Sequence, residues 1–229
     1  MQRISIVCWL WGGGTTKHAP AYGPAHVARL RDQLAQHCTF DYEFVCISDR
    51  PISLEGVRYY PLWEEKAEMG GCYRRLKTFH HSARDIGERI LSMDLDCEVI
   101  GDLKPIVKRD EPAVFWKSFT SRTVINGSIW LTTPGAHDEL WEDLPANARK
   151  ITEGRRLSGS DQAWIAFTLG QQIPYWSNRG GVLALKRDCR KKIKRPPPHG
   201  RIIFMPGRPK PWDVEARRFW PWVTGIEAA

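Results

Sequence analysis

Strand-length apolar runs alternating with helix-length segments fill the first hundred residues, and this order limits the possible folds more than any other feature. Residues 4–10 read as a first strand, and Pro24 opens a helix to about His37 with Val27, Leu30 and Leu34 at helical spacing. Residues 42–47 form a second strand, stopped by Ser48-Asp49-Arg50-Pro51, and residues 57–61 a third. A helix with Leu76, Phe79 and Ala83 on one side is expected over residues 72–85, and a fourth strand follows. Such alternation argues for an α/β sheet whose first half is Rossmann-like. Beyond it the pattern loosens. Strands are expected at 112–117, 124–132, 173–176, 182–185 and 201–205, with short helices at 136–144 and 160–170. Ser160 is placed to cap the last of these and Gly170 to end it. Pro196-Pro197-Pro198 makes a stiff spacer. With no internal repeat and no clear linker, one domain of 229 residues is expected.

The fourth strand carries the chemistry. Its apolar run, Arg89-Ile90-Leu91-Ser92-Met93, ends in Asp94-Leu95-Asp96. A strand puts residues i and i+2 on one side, so the two carboxylates project together from its exit. Held that close they repel and lose hydration unless a positive charge lies between them. A hard divalent cation, Mg²⁺ or Mn²⁺, answers that need. In open α/β sheets ligands gather at the carboxyl ends of strands, which is where this pair lies. Alone the pattern is weak, because Asp-x-Asp arises by chance about once per few hundred residues at ordinary composition.

Composition narrows the setting. Hydrophobic content of 42 % with 11 tryptophans describes a folded globule. No run reaches the ~18 apolar residues of a membrane span. The N-terminus lacks a cationic region and a small-residue cleavage site, so it reads as a strand rather than a signal peptide and predicts a cytoplasmic protein. Six cysteines are scattered without a Cys-x-x-Cys pair, which predicts buried free thiols. A net charge of +8 and a pI near 9.3 favour an anionic partner, with much of the excess in residues 186–195. His80 and His81 neighbour each other on one expected helix and are read as pointing to different sides. The other histidines have no partner at metal spacing.

Four further stretches flank the acidic pair in order. They are Cys72-Tyr73-Arg74-Arg75-Leu76-Lys77, Asn126-Gly127-Ser128-Ile129-Trp130-Leu131, Gly159-Ser160-Asp161-Gln162-Ala163-Trp164 and Gly207-Arg208-Pro209-Lys210-Pro211-Trp212-Asp213. The set resembles the A-type nucleotide-sugar glycosyltransferases, in particular the family-eight-like group of galactosyl, glucosyl and glycogenin-type enzymes, from about Ile4 to Trp212. The resemblance implies an α/β, single-domain glycosyltransferase A-type fold, with a Rossmann-like mixed sheet flanked by helices. Residues 1–105 would be the nucleotide-binding half, 106–212 the sugar and acceptor half, and 213–229 a tail. It implies Asp96 and Asp94 as metal ligands, with Asp94 also on the donor ribose. Arg75, Asn126 and Lys210 would bind the donor, and Asp161 and Gln162 would lie beside the reacting carbon. The implied activity is Mn²⁺- or Mg²⁺-dependent transfer from a nucleotide-sugar donor, a UDP-sugar, with retention. Two departures stand out. The glycine of the Asn-Gly-Ser stretch comes one place early, and the histidine that the family places just before the late glycine is missing. Either Asp213 or water then completes the metal shell, or metal binding is weak. The glycines at 12–14 follow the first strand, where the family binds base and ribose, but they do not form G-x-G-x-x-G.

The acceptor is not specified. The basic run suggests an anionic or lipid-linked glycan, such as a lipopolysaccharide or capsule precursor, with peripheral membrane contact at the inner face. The aromatic tail, Phe219-Trp220-Pro221-Trp222, is expected to pack on the domain edge. Two other classes compete. A basic nucleic-acid-binding protein would account for the charge but not for the ordered acidic motifs, so no nucleic-acid partner is expected. A metal-dependent nucleotidyltransferase or phosphohydrolase would use the same acidic pair.

Overall fold

A computed structural model describes residues 3–12, 22–117, 123–189 and 194–225. In chain order the strands are β1 (Ile4–Leu10), β2 (Tyr42–Ser48), β3 (Arg58–Pro61), β4 (Arg89–Met93), β5 (Cys97–Val99), β6 (Ala113–Lys117), β7 (Ile125–Thr132), β8 (Tyr175–Trp176), β9 (Val182–Ala184) and β10 (Ile202–Phe204). The helices are α1 (Pro24–His37), α2 (Lys104–Val107), α3 (Glu139–Glu142), α4 (Ala148–Gly154), α5 (Asp161–Leu169), α6 (Leu185–Asp188) and α7 (Val214–Phe219). The strands make a seven-stranded sheet in the order β3-β2-β1-β4-β7-β6-β8 and a three-stranded sheet in the order β5-β10-β9. From β3 to β4 the large sheet is parallel, and β7 runs antiparallel to both β4 and β6. This is the α/β architecture expected from the alternation, with the mixed sheet that the resemblance implied.

β1 shows why the sheet sits where it does. All seven of its residues are buried, as a central parallel strand covered on both faces requires. Ile6, Cys8 and Leu10 face α1, while Val7 and Trp9 face the opposite layer with Leu76, Phe79 and Trp130. α1 begins at Pro24, whose fixed φ suits the first helical position, and buries Val27, Leu30 and Leu34. The small sheet joins the same core, with Trp116 against Phe204 at 5.0 Å between ring centroids.

The expected helix over 72–85 is not α-helical. It is a pair of 3₁₀ segments, Tyr73–Phe79 and His81–Asp85, interrupted at His80 (φ −79°, ψ 145°). Tyr73, Leu76 and Phe79 are buried at a spacing of three, the period of a 3₁₀ turn, whose side chains eclipse at i and i+3. The Phe79 carbonyl accepts from Gly135 N–H at 2.8 Å instead of continuing the helix. Ser160 does precede α5, but its hydroxyl does not cap it. It accepts from Cys72 N–H at 2.9 Å across the site. Most other expected elements are present with shortened ends. β5, α2, α4, α6 and α7 were not anticipated.

All six cysteines are free thiols, four of them buried. Trp220 and Val223 of the tail are buried against Leu183, Leu185 and Ile203. Among the described residues no helix is long and apolar enough to cross a membrane.

A buried ion pair ties these layers together. The Arg29 guanidinium on α1 binds the Glu98 carboxylate on β5, with side chains only 4 % and 1 % exposed. Arg29 also donates to the carbonyls of Cys97 and Thr224 at 3.0 Å each. Gln33 Nε2 and Thr224 N–H complete the carboxylate's partners at 2.5 and 2.9 Å. Burial raises the Glu98 pKa, and Arg29 opposes that rise. Removing one partner strands a charge in the interior, which typically costs about 3–5 kcal/mol. Arg29→Ala is expected to lower the unfolding free energy by about that much in urea titration. A loss under ~1 kcal/mol would mean that Gln33 and Thr224 suffice.

Candidate active site

The Asp-x-Asp stretch lies where the chain leaves one sheet for the other, between the end of β4 and the start of β5. Asp94 N–H donates to the Ser128 carbonyl of β7 at 2.9 Å. The Asp96 carbonyl accepts from Met205 N–H at 3.1 Å, just after β10. Leu95 between them is buried in the core.

Around Asp94 the site is built on one guanidinium. Arg75 comes from the first 3₁₀ segment and is nearly fully buried. Its Nε donates to Asp161 Oδ2 at 2.9 Å, and Nη2 reaches the same oxygen at 2.8 Å. Nη1 binds the Asp94 carboxylate, and Nη2 binds the Gly127 carbonyl. The planar fork rests on the Trp130 ring, Cζ 4.6 Å from its centroid. Asp161 is the first residue of α5, and its other oxygen accepts from Gln162 N–H at 2.8 Å. The Gln162 side chain is pinned at both ends, accepting from Gly127 N–H at 3.0 Å and donating to the Ser158 carbonyl at 3.1 Å.

The early glycine of the Asn-Gly-Ser stretch now has a physical reason. A Cβ on Gly127 would lie 3.1 Å from Asp161 Oδ1 and 3.3 Å from Arg75 Nη2, so a side chain there would push the pair apart. Gly159 is a second such position. Its φ of +102° and the 2.5 Å approach of Gln162 Cγ both exclude a side chain. Asn126 lies beside this cluster, its Oδ1 accepting from Ser128 N–H at 2.9 Å.

Asp96 has a separate cation. Lys210 Nζ binds its carboxylate, with side chains 10 % and 12 % exposed. Lys210 is held by a tight turn: its N–H donates to Asp213 Oδ2 at 2.8 Å, and Asp213 N–H donates back to the Lys210 carbonyl at 3.0 Å. Asp213 also takes Arg208 at 3.1 Å. Its carboxylate is thus engaged by Lys210 N–H and Arg208, and among the described residues it joins no three-ligand cluster with the acidic pair.

The cluster holds three carboxylates and two cations. Burial pushes the Asp96 carboxyl above the ordinary carboxylate value, Asp94 adds to the rise, and Lys210 opposes it. Burial likewise raises Asp161 against the pull of Arg75. For Arg75 burial works against the charge, but Asp161 and Asp94 more than offset it and hold the guanidinium protonated. One uncompensated negative charge remains.

That remainder, together with an all-oxygen donor pair, fits a hard divalent cation. Asp94 keeps its side chain 30 % exposed, and Arg75 binds only one of its oxygens. Among the described residues no third carboxylate or imidazole completes a three-ligand cluster with the pair. The site fits a cation that a ligand's phosphates help to hold, as Mg²⁺ commonly is. The glycines at 13 and 14 and residues 190–193 of the basic run lie outside the described residues.

Sequence reasoning missed three aromatic residues at the edge of the pair. Tyr22, His26 and Trp212 pack edge-on, with centroids 4.4–5.5 Å apart. Burial raises the Tyr22 hydroxyl's pKa, and the nearby charges of Asp96 and Asp94 raise it further. Only the Lys-Pro-Trp run hinted at Trp212. Beyond Ser160, a cavity of about 1290 Å³ opens between the 68–73 segment and α4, lined by Glu68, Tyr73, Arg149, Arg155, Arg156 and Ser160.

No protein-family model matches this chain, and no curated protein sequence does. Solved structures do. The galactosyltransferase LgtC, in complex with donor and acceptor sugar analogs, superposes with a TM-score of 0.59 at 12 % identity, over 94 % of this chain and 91 % of its own. The apo-form glycosyltransferase GlyE of Streptococcus pneumoniae TIGR4 gives 0.60 at 14 % identity, over 93 % of this chain and 56 % of its own. The apo bifunctional glycosyltransferase WbbM gives 0.58 at 10 % identity, over 93 % and 47 %. At such identities the likeness is one of fold: the chain has the glycosyltransferase A-type fold, spanning nearly all of LgtC and about half of the other two.

Proposed function

We propose that this protein is a divalent-metal-dependent glycosyltransferase that moves a sugar from a nucleotide-diphosphate donor, a UDP-sugar, to a glycan acceptor with retention at the anomeric carbon. One observation carries the reading. Arg75, Asp94, Asp161 and Gln162 converge with the Asp96–Lys210 pair at the carboxyl end of β4, on a glycosyltransferase fold.

The chemistry follows from charge. A diphosphate leaving group gains negative charge as the anomeric bond breaks, and fixed positive charge in a dry site stabilises that change most. Lys210 would supply such a charge from a buried, turn-locked position. Mn²⁺ or Mg²⁺, held by Asp94 and Asp96, would supply Lewis-acid stabilisation of the same phosphates. Gln162 and Asp161 would border the donor sugar. Their mutual bonds and those to Gly127 and Arg75 fix them before substrate arrives. Asn126 would line the same pocket.

Given retention, the state of the carboxylates speaks for front-face attack over a covalent intermediate. Asp161 has both oxygens bonded and lies 4 % exposed behind Arg75, which is a poor position for a nucleophile. Front-face attack, with the departing phosphate taking the acceptor's proton, needs no such nucleophile. The acceptor would take the cavity beyond Ser160, where Arg149, Arg155 and Arg156 face Glu68 and Glu153, Arg149 being paired with Glu153, a small basic excess toward an anionic glycan.

Two outcomes test this reading. Asp96→Ala is expected to abolish Mn²⁺-dependent sugar-nucleotide binding in calorimetry, and Asp96→Asn to do so while leaving Lys210 a hydrogen-bond partner. Unchanged binding in both would remove the metal assignment. The second concerns pH. Cation binding needs the Asp96 carboxylate, whose folded pKa lies above its ordinary value of 3.8. Mn²⁺ affinity in the presence of UDP-sugar is therefore expected to weaken on acidification at higher pH than for an ordinary exposed carboxylate. A midpoint at the ordinary carboxylate value would contradict it. A panel of sugar nucleotides assayed for Mn²⁺-dependent hydrolysis identifies the donor, and NMR of the product's anomeric proton checks retention.

A further inference from the structure

Away from the acidic pair, the chain assembles a second group of metal-binding side chains. His80, His81 and Glu142 each offer one ligand atom, and these atoms all lie within 4.8 Å of one another. The sequence reading sent the two histidines to different sides of one helix. The break at His80 removes the premise: the residue is extended, the next 3₁₀ segment starts after it, and the two rings stand 3.9 Å apart between centroids.

We propose that His80, His81 and Glu142 bind one divalent transition-metal ion, of the Zn²⁺ class, which clamps the 3₁₀ segments to α3. One contact is already close to what such an ion needs, and the third ligand atom lies within reach of it. Bonds of about 2.0–2.2 Å in tetrahedral geometry put neighbouring ligand atoms ~3.4 Å apart. His80 Nε2 already lies 3.2 Å from Glu142 Oε1. Each ring is also oriented by a second partner. Asp138 takes the His81 N–H at 2.7 Å and faces the ring's Nδ1 at 3.0 Å, which holds the proton on Nδ1 and leaves Nε2 as the outward lone pair. A carboxylate behind a histidine in this way is the usual outer support of a metal ligand. On His80, Nδ1 accepts from Ser82 N–H at 3.3 Å and faces Ser82 Oγ at 2.8 Å, so metal binding at Nε2 would move the ring proton to Nδ1 and turn it to Ser82 Oγ.

The backbone explains why the ligands meet. Asp138 and Glu142 are four residues apart at α3 and so share its face. Gly135 sits beneath His81, where an added Cβ would come within 3.4 Å of the histidine's own. Two imidazoles and one carboxylate favour Zn²⁺, Co²⁺, Ni²⁺ or Cu²⁺ over the Mg²⁺ and Mn²⁺ that suit an all-oxygen pair. His81 and Glu142 side chains are 54 % and 57 % exposed, so water can fill the fourth position and the ion can exchange. The site lies at the far end of the segment that carries Arg75, and an ion there would hold that segment's end against α3.

The experiment is zinc titration of the full-length protein stripped by chelator, by calorimetry and by thermal unfolding. The expected result is one Zn²⁺ per chain that persists in Asp96→Asn and raises the melting temperature. His81→Ala and Glu142→Gln, both at exposed positions, should each weaken that binding at least tenfold and remove the thermal shift. Their far-ultraviolet dichroism without zinc should match the parent protein. Asp138→Asn should weaken binding about ten- to a hundredfold. Absence of zinc binding, or binding and thermal shifts unchanged by His81→Ala and Glu142→Gln, would overturn the proposal.

Discussion

The buried guanidinium of Arg75 is the interaction on which the site depends. A charge taken out of water is tolerable only if its partners are complete. Here they are drawn from three separate parts of the chain: Asp94 after β4, Gly127 within β7 and Asp161 at the start of α5. The 3₁₀ segment that carries Arg75 is itself fixed by Tyr73, Leu76 and Phe79 in the core. The geometry around Arg75 is therefore a consequence of the sheet's closure rather than of any single loop. Gly127 makes the arrangement possible by having no side chain where arginine and aspartate must pass.

The small sheet has a different task. β5 continues directly from Asp96, and β10 pairs antiparallel with it, Phe204 against Cys97. The residues after β10 then return to the acidic pair, and Lys210 reaches the Asp96 carboxylate. The Arg29–Glu98 pair locks this sheet to α1 and to the tail through Thr224. Stability and site geometry thus share one set of contacts. The strand that carries Glu98 is the strand that places Asp96.

How much of this was legible depended on whether a signal was local. β1 and α1 were readable because burial on both faces leaves an unbroken apolar run, and because Pro24 marks a helix start. The acidic pair, Asn126, Asp161-Gln162 and Lys210 were readable as an ordered set of short motifs, and the structure brings them close. Residues 72–85 misled because Leu76, Phe79 and Ala83 fit a helical stripe, while the operative period was three and ended at His80. The partnership of His80, His81 and Glu142 joins positions 62 residues apart, so no spacing rule could show it. Tyr22 was invisible for the same reason, since its neighbours are Trp212 and the acidic pair. β5 is only three residues long and follows a polar stretch, which hid the change of sheet.

The missing histidine takes on a different meaning in this light. In the free chain neither aspartate is a bare anion awaiting a cation: Asp94 is paired to Arg75 and Asp96 to Lys210. Under the proposed function, a donor entering with its cation would exchange partners rather than fill a ready cage. Lys210 would turn from carboxylate to phosphate while Asp96 turned to the metal, so the number of buried charge contacts would be conserved. Such an exchange avoids both a repulsive empty site and a strongly held resident ion. A third protein ligand would tighten the metal in the absence of donor and weaken the coupling between cation and diphosphate. Two carboxylates backed by two cations instead make metal affinity depend on the phosphates that arrive with it.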